Sequence, residues 1–226
     1  MFDRLKLLIG DDNFSKIQNA KVLVVGVGGV GGECVVSLVR CGIINISFID
    51  FDVVDISNIN RQVVAYQSTI GMKKVDVLEK IVKDINPSCN VSKHDIYLDK
   101  SNIKEIFDFE KPTFIVDCCD SKDTKKEIIS YSLEKNINFI SSMGTGNKYN
   151  PEDLYIDDIR KTENDPLARI FRKWVKDEKI KGKIPVLCSK EVPVHRGKVV
   201  SSNSFVPNSA GLLISSYVIK KIINWW

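Results

Sequence analysis

An open α/β fold, a mostly parallel sheet with helices on both faces, is what this 226-residue sequence predicts, and three observations carry the prediction. A β-branched run, Val22 to Val25, breaks into a glycine-rich turn and then into helical spacing. Further short apolar runs recur at Ile46 to Ile49, Thr113 to Val116 and Asn138 to Ser141, without the polar alternation of a half-wet strand. Strands covered on both faces read this way. Between several of them lie stretches with helical apolar spacing. With 43% hydrophobic residues, a chain of this length buries one sizeable core, so a single domain spanning 1–226 is expected.

In chain order, Phe2 to Asn19 reads as a leading helix with Leu5, Leu8 and Ile9 apolar and Arg4 near its start. Then comes KVLVVGVGGVGGECVVSLVR at 21–40, in which Gly26, Gly28, Gly29 and Gly31 link strand to helix. That layout points backbone N–H groups and a helix N-terminus at a phosphate, and a Cβ in the turn would hold the phosphate away. It makes the fold Rossmann-like and predicts a nucleotide without choosing which. The strand at Ile46 to Ile49 ends in Asp50-Phe51-Asp52, where Asp50 is placed for a ribose.

The segment DISNINRQ at 55–62 is too polar for core, and it delivers Arg61 and Gln62 to the carboxyl ends of the strands. A helix from about Gly71 to Asn86 follows, with Val75, Leu78, Ile81, Val82 and Ile85 on one face. Lys74 lies in its first turn, where a cation meets the positive end of the helix dipole and is better explained beside an anion. Pro87 stops the helix and Val91 to Ile96 is expected as a strand. The strand at Thr113 to Val116 ends DCCDS. Its Asp117 and Asp120 suit the hard ion Mg²⁺, although Asp117 is equally a turn or cap residue, and Asp120 is preferred as the ligand.

Past Asn138 to Ser141 and the turn Met143 to Gly146, the region at about 155–190 is basic, with nine basic against four acidic residues in Arg160 to Lys183. Such a stretch attracts polyanions or is simply a solvated face. Asp165-Pro166 is a helix start, followed by an apolar stripe of Leu167, Ile170, Phe171, Trp174 and Val175, with Arg169, Arg172 and Lys173 mostly off it. Val186 to Cys188 and Val199 to Phe205 are expected as late strands, the latter antiparallel at an edge. Ala210 to Trp226 reads as a terminal helix that Lys220 and Lys221 make too polar to span a bilayer. It packs on the sheet, or touches a membrane surface through Trp225 and Trp226.

The net charge of +4 does not by itself call for nucleic acid. Six cysteines without a C-x-x-C pair point to a reduced, cytoplasmic protein without structural zinc, and the charged N-terminus is no signal peptide. His94 and His195 stand far apart in sequence, which argues against a histidine-based metal site or triad.

GVGGVG at 26–31, DFD at 50–52, SNINRQ at 57–62, Lys74 and DCCDS at 117–121, in this order, resemble the ubiquitin-activating-enzyme-like adenylating superfamily. The resemblance covers about 4–142. It implies ATP as the nucleotide, with Gly26, Gly28, Gly29 and Gly31 along it and Asp50 on the ribose. It further implies Asp52, Ser57, Asn60, Gln62 and Ser121 in the nucleotide site, and Asn58, Arg61 and Lys74 on the phosphates. Asp120 would bind Mg²⁺. Arg4 would act across a homodimer interface in the partner's site.

KTENDPLARIFRK at 161–173, VLCSKE at 186–191 and SFVPNSAGL at 204–212 resemble the tRNA threonylcarbamoyladenosine dehydratases over nearly the full length. That implies ATP-dependent activation of the threonyl carboxylate on a modified tRNA adenosine, then cyclisation. The basic segment, with Arg169, Arg172 and Lys173, would meet the tRNA. The alternative is an adenylyltransferase for the C-terminal glycine of a ubiquitin-like sulfur carrier, against which the missing zinc cysteines speak. Only Cys188 stands where a carrier-accepting cysteine would be, and sulfur-relay partners stay open. A nicotinamide-dependent oxidoreductase would leave Arg61 and Lys74 without a task, and a non-catalytic RNA-binding module would use the basic segment alone.

Overall fold

The computed structural model describes residues 1–194 and 199–225. The elements run α1 (Asp3–Ile9), α2 (Asp11–Asn19), β1 (Lys21–Val25), α3 (Gly29–Arg40), β2 (Asn45–Ile49), α4 (Lys74–Ile85), β3 (Asn90–His94) and α5 (Ile103–Glu110). They continue with β4 (Phe114–Asp117), α6 (Lys122–Glu134), β5 (Asn138–Ser142), β6 (Leu154–Asp158), α7 (Pro166–Asp177), β7 (Pro185–Ser189) and α8 (Phe205–Ile223). One seven-stranded sheet has the order β3-β2-β1-β4-β5-β7-β6. Every neighbouring pair is parallel except β6 with β7.

Strand alternation sorts the core into two layers. Val22 and Val24 of β1 face the side covered by α3, α4 and α8, where Leu38, Leu78, Ile214 and Val218 are buried. Leu23 and Val25 face the side of α5, α6 and α7, where Phe107, Ile128, Phe171 and Val175 fill the layer. The chain leaves β1 for β2 and β3 on one side and returns to β4 on the other. That reversal opens a crevice between the carboxyl ends of β1 and β4, the place where open α/β sheets bind ligands.

Several expectations need correction. The leading helix is two helices, because Gly10 takes φ 82° and breaks the path between α1 and α2. The antiparallel edge strand is β6, whereas Val199 to Phe205 forms no strand: Val199 and Val200 are exposed, and Phe205 already opens α8. There Asn203 caps the helix, its Oδ1 accepting the Val206 N–H at 3.0 Å. β3 ends at His94 rather than Ile96. Helices α5 and α6 were not anticipated. In α7, Asp165 caps as expected, accepting the Ala168 N–H at 2.7 Å, but Ile170 of the apolar stripe faces solvent. Among the described residues no helix is long and apolar enough to cross a membrane. His195 and Trp226 lie outside the described residues.

Candidate active site

The glycine turn is built by close packing. Gly26 has φ 82°, and a Cβ on it would lie 2.8 Å from the Cys118 carbonyl oxygen. A Cβ on Gly31 would collide with the Gly26 carbonyl, so this glycine lets α3 start directly behind the turn. Around Gly28 the space is open, with only the Gln62 Nε2 within 4 Å of such a Cβ, which leaves its backbone free for a phosphate. Gly29, the first residue of α3, is instead covered by Pro207 and the Arg61 backbone.

Above the turn lies a cavity of about 360 Å³ lined by Gly26, Gly28, Asp50, Asp52, Asn58, Arg61, Gln62, Lys74, Asp120 and Ser121. Ten of the residues named from the sequence therefore meet in one place. Asp50 is fixed twice: its Oδ2 accepts the Val27 N–H at 2.7 Å and its Oδ1 the Asp52 N–H at 2.9 Å. Burial raises its pKa above the ordinary carboxylate value, against the opposing pull of Lys74 and those two N–H groups. Lys74 is buried at the start of α4 with its Nζ 2.7 Å from Asp52 Oδ2, so Asp52 partly offsets a cation at the positive helix end.

The polar loop shapes the opposite wall. Asp55 accepts the Ser57 N–H at 2.8 Å, while Asn58 Oδ1 accepts the Asp55 N–H at 3.1 Å, a reciprocal cap that turns the chain through 56–58. Arg61 is aimed from this loop by Nη1 bonds to the Ser57 carbonyl and Asn60 Oδ1, both 2.8 Å. Ser57 and Asn60 thus stand outside the lining and orient the arginine. The buried Gln62 Oε1 has no partner among the described residues, which leaves an acceptor available to a bound molecule.

Asp120 is exposed on the cavity wall with no polar partner among the described residues, and Ser121 caps α6 by accepting the Thr124 N–H at 3.3 Å. Asp117 takes the structural role. It is fully buried, with Oδ2 accepting from Lys125 Nζ at 2.9 Å and Ser141 Oγ at 2.5 Å, so it is no metal ligand. Arg4 is exposed on α1, outside the cavity of its own chain.

Sequence reasoning missed an apolar wall. Phe51 and Tyr97 meet edge to face at 5.0 Å, with Ile96 and Leu98 beside them. A flat heterocycle fits such a wall. The signal was the apolar triplet Ile96-Tyr97-Leu98, hidden because it sits in a loop past β3 and follows no helix or strand period. Burial pushes the Cys118 and Cys119 thiols of the cavity up, which disfavours the thiolate a nucleophile would need. Cys188, buried in β7, is pushed up to about 11 by burial and by the nearby Asp165. Along the crest formed by the carboxyl ends of the strands, beyond the first cavity, Arg169 and Arg172 line a second cavity, and Lys173 does not.

Residues 2–153 match the ThiF family model. The tRNA threonylcarbamoyladenosine dehydratase of Bacillus subtilis is 34% identical over 240 residues, covering 98% of this chain and 94% of that protein. The tRNA threonylcarbamoyladenosine dehydratase 2 of Saccharomyces cerevisiae is 38% identical over 186 residues, 82% of this chain but 42% of the yeast protein, so this chain spans less than half of that relative. Among solved structures, the Escherichia coli tRNA N6-threonylcarbamoyladenosine dehydratase in complex with ATP superposes with a TM-score of 0.93 at 28% identity, over 99% of this chain and 93% of that one.

Proposed function

Because this chain belongs to the ThiF family and, within it, to the tRNA threonylcarbamoyladenosine dehydratases, we propose that it uses ATP to dehydrate threonylcarbamoyladenosine in tRNA to its cyclic form. The observation that carries the reading is the meeting of Arg61, Lys74 and Asp120 around an open glycine turn in a single crevice.

In this reading the phosphates of ATP lie over Gly28 toward the N-terminus of α3, the ribose against Asp50 and the adenine along Phe51 and Tyr97. The substrate carboxylate attacks the α-phosphorus. An O–P bond forms, the bond to pyrophosphate breaks, and an acyl-adenylate results. A nucleophilic atom of the carbamoyl arm then attacks the acyl carbon and gives up its proton, and AMP leaves with one carboxylate oxygen. The nucleoside is lighter by one water. Both steps load negative charge onto phosphate oxygens, and a carboxylate approaching a triphosphate is repelled until cations intervene. Arg61 and Lys74 supply those cations from fixed positions, where a single such group is worth about 10²–10³ in rate.

Mg²⁺ fits Asp120, because this exposed carboxylate has no polar partner among the described residues and a hard ion takes one or two carboxylates with phosphate oxygens and water. Among the described residues no group of three or more His, Cys, Asp or Glu side chains could hold a metal, so phosphate oxygens and water would have to complete the coordination beside Asp120. When bound it would neutralise phosphate charge.

Arg4, exposed and without a partner among the described residues, serves the site of a second protomer in a homodimer. Arg169, Arg172 and Lys173 of α7 meet the RNA backbone. Six free thiols support a reducing, cytoplasmic setting. The test is incubation with ATP, Mg²⁺ and threonylcarbamoyl-modified tRNA, which yields AMP and a nucleoside lighter by one water. Unchanged nucleoside would refute the proposal, and pyrophosphate exchange stimulated by a small carrier protein instead would favour the adenylyltransferase.

A further inference from the structure

Further along the same crest, over β5 and β7, a second cavity of about 730 Å³ opens between the turn at 144–148 and the start of α7. It shares no lining residue with the first. Lys148 and Asp165 cancel each other there: both are buried, their Nζ–Oδ2 distance is 2.6 Å, and Lys148 also donates to the Gly144 carbonyl at 2.5 Å. The two guanidiniums are left over. Arg169 is exposed with no partner among the described residues. Arg172 donates to Thr162 Oγ1 at 2.7 Å and has no carboxylate partner among them. Beside them Leu167, Val192 and Val200 form an apolar wall. Uncompensated arginines next to an apolar wall match a phosphate joined to a flat ring.

We propose that this cavity seats the modified nucleotide itself, its phosphate on Arg169 and Arg172 and its base along Leu167 and Val200, so that only the threonylcarbamoyl arm enters the ATP crevice. The proposal rests on the dehydratase reading. Distances along the crest agree with it. From β4 to β7 are two strand steps, on the order of 10 Å at about 4.8 Å per step. An arm of roughly two residue lengths spans about 7 Å when extended, and the purine covers the remainder. The two cavities are also fixed relative to each other by residues 201–203. Asn60 of the ATP loop donates to the Ser202 carbonyl at 3.0 Å, while Asn203 donates to the Lys148 carbonyl at 2.9 Å and the Ser201 N–H to Asn147 Oδ1 at 2.7 Å.

The test uses the full chain and a synthetic anticodon stem-loop carrying threonylcarbamoyladenosine. Arg169→Ala weakens stem-loop binding about 10- to 100-fold, the range for a charge-assisted hydrogen bond, and lowers the salt slope by about one. Val200→Trp, a change at an exposed position that fills the cavity, raises the KM for the RNA and leaves the KM for ATP alone. Lys176→Ala, on the same helix but outside the cavity, changes neither. Equal weakening by Arg169→Ala and Lys176→Ala would reduce the helix to a diffuse cationic face and overturn the subsite. So would wild-type RNA kinetics in Arg169→Ala or Val200→Trp, or a parallel rise in the KM for ATP. If the wild-type chain releases no AMP with this RNA, the dehydratase reading falls, and the subsite with it.

Discussion

Replacing Lys125 by Ala removes one half of an ion pair that water does not reach. Lys125 and Asp117 are both fully buried, and Lys125 Nζ also donates to the Ser142 carbonyl at 2.8 Å. Asp117 would keep Ser141 as a donor but lose its counter-charge. Leaving a buried charge unpaired costs about 3–5 kcal/mol. For a chain of this size, at about 2–4 °C per kcal/mol, the melting temperature falls by roughly 6–20 °C. The damage reaches the active site, because Asp117 ends β4 and accepts the Cys119 N–H at 3.2 Å in the turn that presents Asp120. Urea titration of Lys125→Ala, Asp117→Asn and the double variant measures the coupling, expected at about 0.5–3 kcal/mol. The pair raises the Lys125 pKa despite the opposing effect of burial, so its share of stability is intact below the ordinary lysine value of 10.5 and is lost only as pH rises beyond it. A single-variant loss under about 1 kcal/mol, the range of an exposed pair, or strictly additive losses, would refute the account of a dry, coupled pair.

Asp120→Ala should nearly abolish AMP formation while the thermal midpoint stays within a degree or two, since its side chain has no protein partner among the described residues; wild-type turnover would remove it from the metal role. Cys188→Ala should retain full dehydratase turnover, measured as AMP release, because a thiol held at about 11 is protonated at neutral pH and the cyclisation needs no protein nucleophile. Asp158 holds the approach to α7 through the Arg160 and Ile184 N–H groups and the Arg160 guanidinium. Burial alone would raise its pKa, but these donors lower it below the ordinary 3.8, so its contribution is full above that value and fades as pH falls through the folded pKa. Asp158→Asn should therefore flatten the acid limb of the stability curve and cost about 1.5–3 kcal/mol at neutral pH by urea melts.

What the sequence disclosed was local chemistry. A strand, a glycine turn and a helix lie within 21–40, and the carboxylate and cations of the crevice each follow a recognisable strand end or helix start. Helix α6 escaped notice because it buries Thr124, Lys125 and Ser132, which blurs the apolar stripe on which periodicity depends. The misread edge strand has a similar cause. Val199 and Val200 have strand-like side chains, yet the neighbouring backbone bonds to the Asn147 loop instead of a ladder. In β6 four of five residues are only half-buried, so no alternation marked it. The second cavity could not be read at all, since it joins residues of 144–148 and 164–172 with Val192, Pro193 and Val200, which only the folded sheet brings together.

The doubly tethered Asp50 has a consequence for which nucleotides can enter. Two backbone donors hold its carboxylate before any ligand arrives, so with the ribose placed on Asp50 as proposed, recognition of the sugar would consume little side-chain freedom. What remains exposed to the visitor is acceptor capacity alone. In that placement a free vicinal diol would donate to it, whereas a sugar carrying a 2′-phosphate would bring like charge against like and be turned away, a filter that geometry rather than adjustment would set.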